Sequence, residues 1–149
     1  PKQYNEGVYI IPSIAASSFF IAAYSMHMRV ELFYKQTVFA TACTCIAAVT
    51  NIILNYIFIP MFGYIAAGYT TLVCYTLLFA LHSINVHMRG FSNAIDSKKI
   101  WLLAVIVLIT SCFMNVVYRY TVLRFGLILI ILSILIIKRD AIVKLFKKK

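Results

Sequence analysis

Three histidines, four cysteines and four carboxylates are the side chains of this chain that could perform acid–base or metal chemistry. The cysteines do not assemble a site. Cys43 and Cys45 are two residues apart, so on a helix they point about 200° from each other. No histidine lies at ligand spacing from either, and Cys43, Cys45, Cys74 and Cys112 all fall inside apolar runs, where a thiol packs as a small hydrophobe. The acids Glu6, Glu31, Asp96 and Asp140 fall at the ends of those runs or between them. None sits at the centre of a run, where a carboxylate would point to proton or ion coupling. No catalytic residue, metal or cofactor is therefore expected.

The polar side chains that remain read first as packing and interface groups, each with a functional alternative. His27 and His82 lie toward one end of their runs and His87 just beyond. They read as interfacial histidines, with a protonatable group in a substrate path as the sharper alternative. Asn51 and Asn55 are one helical turn apart, placed for interhelical hydrogen bonding or for lining a polar cavity. Arg29, Lys35, Arg89, Arg119 and Arg124 stand near run ends as topology anchors or lipid-headgroup contacts. An arginine there could also grip phosphate through two parallel hydrogen bonds. The substrate-path candidates are Arg29, Asn51, Asn55 and His82.

These residues need a scaffold, and composition says which kind. Of 149 residues, 63% are hydrophobic and only 12% charged, with a mean hydropathy of +0.93. Soluble domains are about 45–50% apolar and about 25% charged. A soluble enzyme and a disordered chain are both excluded, leaving an integral membrane protein. Five apolar runs follow, at about 8–28, 37–59, 64–86, 100–118 and 122–137, each near the ~20 residues that cross hydrocarbon as a helix. None alternates like a barrel strand. The expected fold is all-α, with five transmembrane helices and a basic tail over 138–149. The tail mixes lysines with Ile142, Val143, Leu145 and Phe146, which suits an interfacial helix on an anionic leaflet.

The charges orient this bundle. Lys2, Arg119 and Arg124 fall on the side of the N-terminus, and the other eleven of the fourteen Lys and Arg fall opposite. Cytoplasmic loops carry such an excess, so the C-terminus is expected in the cytoplasm. The net charge of +10 is thereby a topology signal, and nucleic acid is not an expected partner. Aromatic residues near run ends, among them Phe33, Tyr34, Tyr56, Phe58, Tyr64, Trp101 and Tyr118, fit interfacial belts. The chain opens Pro1-Lys2-Gln3-Tyr4, without an initiator methionine or signal-peptide pattern, and reads as the C-terminal part of a longer membrane protein.

Helices in lipid associate through small and weakly polar residues, which let backbones approach. On the second run, Ala40, Thr44, Ala47, Ala48, Asn51 and Asn55 share an arc of about 100°, while Ile46, Ile53 and Ile57 face away. The third run gathers Gly63, Ala67, Thr70, Thr71 and Cys74. The first offers Ala15, Ala16, Ser17, Ser18, Ala22 and Ala23 around Pro12. Leu127 to Ile137 is almost pure Leu/Ile and is expected to face lipid.

The stretch Asn51-Ile-Ile-Leu-Asn55-Tyr-Ile-Phe-Ile-Pro60-Met-Phe-Gly63-Tyr-Ile-Ala66-Ala67-Gly68 resembles the N-x3-N…IP-x2-G-x2-A-A-G hairpin of bacterial polysaccharide flippases. These are the Wzx-type O-antigen or capsule translocases of the multidrug/oligosaccharidyl-lipid/polysaccharide (MOP) exporter superfamily. Phe33-Tyr34-Lys35-Gln36-Thr37 looks like the loop that precedes that hairpin, and Tyr75 with His82 suits the pattern after it. The resemblance covers about Val8 to Val86; the last two runs match in hydropathy only. It makes Pro60, Gly63, Ala67 and Gly68 a structural hairpin. It implies a MATE-like transporter of two six-helix lobes, of which this chain supplies most of the C-terminal one. The partners implied are membrane lipids, a polyprenyl-pyrophosphate-linked oligosaccharide and an N-terminal lobe of the same chain, in the bacterial inner membrane. The function implied is flipping of that lipid-linked sugar for surface polysaccharide (lipopolysaccharide or capsule) synthesis. A multidrug or cation antiporter of the same superfamily is the first alternative. A polysaccharide polymerase or acyltransferase is the second, and the short external loops count against it.

Overall fold

The computed structural model describes residues 7–91, 95–118, 120 and 125–126. Among them are four long helices and no strand: α1 (Ile11–Phe33), α2 (Thr37–Phe62), α3 (Ile65–Met88) and α4 (Ser97–Tyr118). Each is long and apolar enough to cross a membrane, so the chain is a multi-pass α-helical membrane protein. The fifth run, 122–137, lies outside the described residues apart from Phe125 and Gly126, and the tail lies outside them entirely. The chain divides into two compact units, Pro1–Phe113 and Met114–Lys149, and the architecture below is that of the first.

Helix ends differ from the apolar runs in an instructive way. α1 passes Met28 and runs through Arg29 and Glu31 to Phe33. Charged residues end an apolar run without ending a helix, because the backbone goes on satisfying its own hydrogen bonds. α2 likewise extends through Pro60 to Phe62. Pro60 withdraws the amide that would have bonded the Tyr56 carbonyl, and the helix ends two residues later. Gly63 then stops the helix at φ +71°, its N–H donating to the Ile59 carbonyl at 2.8 Å. That conformation is open chiefly to glycine. α4 starts at Ser97, taking Lys98 and Lys99 into its first turn.

α3 is the centre of the unit. It packs along both α1 and α2, whereas α1 and α2 scarcely touch each other. The early residues of α1 meet the early residues of α3, and their late residues also meet, so these two run parallel. The tightest approach is at Gly68, where a Cβ would collide with the Ile10 side chain and sit 3.1 Å from Ser13 Oγ. α4 joins through long side chains: Trp101 Nε1 donates to Ser83 Oγ at 2.8 Å, and Ser111 Oγ donates to the Pro12 carbonyl at 3.1 Å. These pairs make α4 antiparallel to both. Phe20, Ala23, Phe79 and Ala104 form the apolar core. Water expulsion gives no drive inside lipid, so close packing and interhelical hydrogen bonds must hold these helices together.

The small-residue stripes are corrected in detail. α1 buries Ala16, Ser17 and Ala23 but exposes Ala15, Ser18 and Ala22. α2 buries Ala40, Cys43 and Ala47, leaving Thr44 and Ala48 exposed. The contact line of α2 is therefore turned toward Cys43, because among the described residues α2 packs chiefly on α3. Asn51 and Asn55 are half-buried at the edge of that line.

Candidate functional site

The periodicity that packs α1 on α3 also carries polar groups into the seam. Ser13, Ala16, Phe20, Ala23, His27 and Glu31 recur every three or four residues on α1, and all are buried. On α3 the matching line is Cys74, Leu78, His82 and Asn85. The two lines converge on a carboxylate. Glu31 is completely buried; its Oε2 accepts from His82 Nδ1 at 2.6 Å and its Oε1 accepts from Asn85 Nδ2 at 2.8 Å. Asn85 Oδ1 in turn accepts from Nε of the exposed Arg89 at 3.3 Å. A buried charge is tolerated only when paired and hydrogen-bonded, and here both carboxylate oxygens are engaged.

Aromatic rings pack around this network. Tyr24 stacks on His82 at 5.9 Å and on Tyr75 at 6.1 Å, and Phe39 of α2 meets His82 edge-on at 6.5 Å. His27 is also fully buried, one turn before Glu31. Its Nδ1 donates to the Ala23 carbonyl at 2.9 Å, and its ring rests edge-on against Phe79. Nε2 of His27 and Nε2 of His82 have no hydrogen-bond partner among the described residues.

Two recesses flank the network. One, of about 690 Å³, lies at the late end of α3 and is lined by Phe39, Asn85, Met88, Arg89 and Phe91 among others. The other is a groove of about 480 Å³ that opens over α3 because α1 and α2 stand apart. Its walls include Tyr24 from α1, Thr44, Ala48 and Asn51 from α2, and Thr71 and Tyr75 from α3. Hydroxyl and amide groups midway along membrane helices offer hydrogen bonds that hydrocarbon cannot.

Of the substrate-path candidates, the structure sets Asn51 in the groove wall and Asn55 beside it. Asn55 Nδ2 donates to Asn51 Oδ1 at 2.8 Å, and Thr70 Oγ1 of α3 donates to Asn55 Oδ1. Asn55 thus ties α2 to α3, and Asn51 stands in the groove wall. His82 is sealed under Tyr24, and Arg29 is exposed and lines neither recess. In the hairpin, Pro60 and Gly63 close α2, and Gly68 makes the α1–α3 crossing. Ala67 is half-buried, its carbonyl accepting from the Thr70 and Thr71 hydroxyls. The chain matches no family model, no curated protein and no solved structure.

Sequence reasoning missed Glu31, Asn85 and the Tyr24–Tyr75 stack. A signal was present. Carrying the α1 contact line past Met28 by one helical step from His27 lands on Glu31, and the same step on α3 from Leu78 lands on His82.

Proposed function

We propose that this chain is part of a transporter that flips a lipid-linked oligosaccharide across a bacterial inner membrane without modifying it. The supporting observation is the groove between α1 and α2, floored by α3, with Tyr24, Thr44, Asn51, Thr71 and Tyr75 in its walls. A sugar pyrophosphate loses its hydration on entering hydrocarbon and needs replacement partners, while the lipid tail stays in the bilayer. Such a groove supplies them. The Asn51 to Gly68 hairpin and its likeness to the MOP flippases support the same reading, in which this bundle forms most of a C-terminal lobe facing a second one. The charge asymmetry supports an orientation with the Arg89 end in the cytoplasm and the Gly63 turn outside.

The groove gives the reading a direct test. Ala48 is exposed in its wall, so Ala48→Phe fills the groove without entering the α2–α3 contact. In vesicles holding the full-length protein and a fluorescent polyprenyl-pyrophosphate sugar, translocation should fall at least tenfold in Ala48→Phe, with thermal stability unchanged. Equal rates in the two proteins would reject the groove as the path. The second reading, a cation or drug antiporter of the same architecture, is favoured by the buried Glu31–His82 pair, since ionisable pairs inside membranes commonly serve ion coupling. Normal surface polysaccharide together with new sensitivity to cationic drugs in a deletion strain would select it.

A further inference from the structure

The recess at the late end of α3 joins a cationic rim to an apolar wall. Phe39, Leu81, Ile84 and Met88 line it together with Asn85 and Arg89, and its volume of about 690 Å³ is that of a small-molecule site. From Leu81 to Arg89 the helix rises about 12 Å, apolar at one end and charged at the other. The apolar span of α3 ends at Met88, so the charged end lies at the membrane surface and the apolar end within hydrocarbon. Phe91 stacks on Tyr34 at 3.9 Å, which brings the turn after α1 beside this rim.

Arg89 is not a loose surface cation. Its backbone N–H donates to the Asn85 carbonyl at 3.0 Å, which sets the two side chains one turn apart on one face. Asn85 is buried, and its Nδ2 donates to Glu31 Oε1. That bond fixes which way the amide points, because the reverse would set its oxygen against a carboxylate and its NH2 against a guanidinium. Oδ1 is thus left for Arg89, whose Nε donates to it at 3.3 Å. Among the described residues nothing else bonds the Arg89 side chain, so Nη1 and Nη2 remain available. A guanidinium presents its donors in a fixed fork and grips phosphate oxygens two at a time. We propose that Arg89, held by Asn85, and the recess beside it form a binding site for a lipid phosphate, with the headgroup on the guanidinium fork and the chain along Ile84 and Leu81.

The wall is what selects a lipid over a free anion. The carboxyl end of α3 by itself disfavours negative charge, and the Glu31 carboxylate behind Asn85 does the same. The fork must outweigh both, and a soluble phosphate would bring it nothing further. A lipid adds its chain, which lies on apolar side chains while the phosphate stays at the surface. Asn85 acts here as a positioning residue: it spends the Nε donor and so aims the two terminal nitrogens. Bilayer phospholipids and polyprenyl pyrophosphates share the chemistry required, a phosphate ester on a long apolar chain. The site therefore stands without the transport function proposed above.

Native mass spectrometry of the full-length protein in detergent, titrated with dioleoyl phosphatidylglycerol, tests the site. Arg89→Gln should weaken the first-bound lipid about fivefold or more, with thermal stability unchanged because Arg89 is exposed. Lys99→Gln removes an exposed cation outside the recess and should change binding less than about twofold. Arg89→Lys keeps the charge without the fork and should recover only part of the loss. Full recovery with lysine would overturn the fork, and equal losses in Arg89→Gln and Lys99→Gln would overturn the site in favour of diffuse attraction. sn-Glycerol 3-phosphate at equal concentration should not displace the lipid; displacement would make this a site for soluble phosphate and overturn the lipid assignment. Polyprenyl pyrophosphate in the same titration separates the two sources. Stronger Arg89-dependent binding than phosphatidylglycerol makes it the ligand, weaker binding makes the bilayer phospholipid the ligand, and either supports a lipid-phosphate site. Arg89-dependent binding in a protein that moves no lipid-linked sugar would refute the transport reading and leave this site standing.

Discussion

The seams that α3 makes with α1 and with α2 are built on different principles. Against α1, α3 closes at one end on Gly68, where backbone meets side chain with no room for a Cβ, and at the other on a buried carboxylate with two donors. Against α2, it relies on the small buried residues Ala40, Cys43 and Ala47 and on one Thr70–Asn55–Asn51 chain of neutral hydrogen bonds. The first seam is specified by charge and shape, so any change in it is costly. The second is neutral, and most of α2 lies exposed. A charged, close-fitting seam and a neutral, looser one thus lie on two sides of one helix.

The largest effect should come from cutting the charged end of the α1–α3 seam. His82→Leu leaves the Glu31 carboxylate buried with one donor, and losing a partner from a buried ion pair costs about 3–5 kcal/mol. Thermal unfolding in detergent should show it. Glu31→Leu combined with His82→Leu should cost much less than either single change adds up to, because no lone charge remains. Additive losses would mean that the pair is not coupled.

At the other end of the same seam, Gly68→Val pushes a side chain into Ile10 and Ser13. Overpacking of this kind costs about 1–3 kcal/mol. A neutral outcome would show that α1 and α3 do not approach so closely. On the α2 side the expected effects shrink. Asn55→Leu removes the link to Thr70, and such interhelical hydrogen bonds average about 0.6 kcal/mol in membranes. If Asn55→Leu matched His82→Leu, the contrast between the seams would fail.

Much of this was legible in the residues and some was not. Apolar runs located the four described helices, and the N-x3-N spacing foretold that Asn51 and Asn55 belong to a helix contact. The reading of Glu31 as a run-end acid was accurate as to place and blind as to environment. Its partners lie 51 and 54 residues away, and no local pattern announces a contact at that distance. The α2 stripe was misjudged in its direction: the expected arc is centred near Thr44 and Asn51 with Ala48 at one edge, whereas the face buried against α3 is turned toward Cys43. Ala47→Leu should therefore destabilise the bundle, while Ala48→Leu leaves its stability unchanged.

The smallest effect belongs outside both seams. Asp96 precedes α4, and Lys99 donates to it at 2.7 Å, which holds this carboxyl below the ordinary carboxylate range. A depressed folded value means the contribution is present above the unfolded value and is lost as pH falls through the folded one. Both side chains stand in water, so Asp96→Asn should leave unfolding unchanged in moderate salt and from neutral pH down into the acid range. A measurable loss would show that charge outside the α1–α3 seam also holds the bundle.

We propose that a polar lipid-linked sugar crosses the membrane through this protein. Deleting the gene and locating the lipid-linked repeat units in the host cell tests that passage. The prediction is that finished, unmodified units accumulate on the cytoplasmic leaflet and surface polysaccharide is lost, with both defects reversed by the intact gene but not by the Ala48→Phe version. Surface polysaccharide at normal levels, with no build-up of units on the inner leaflet, would contradict it.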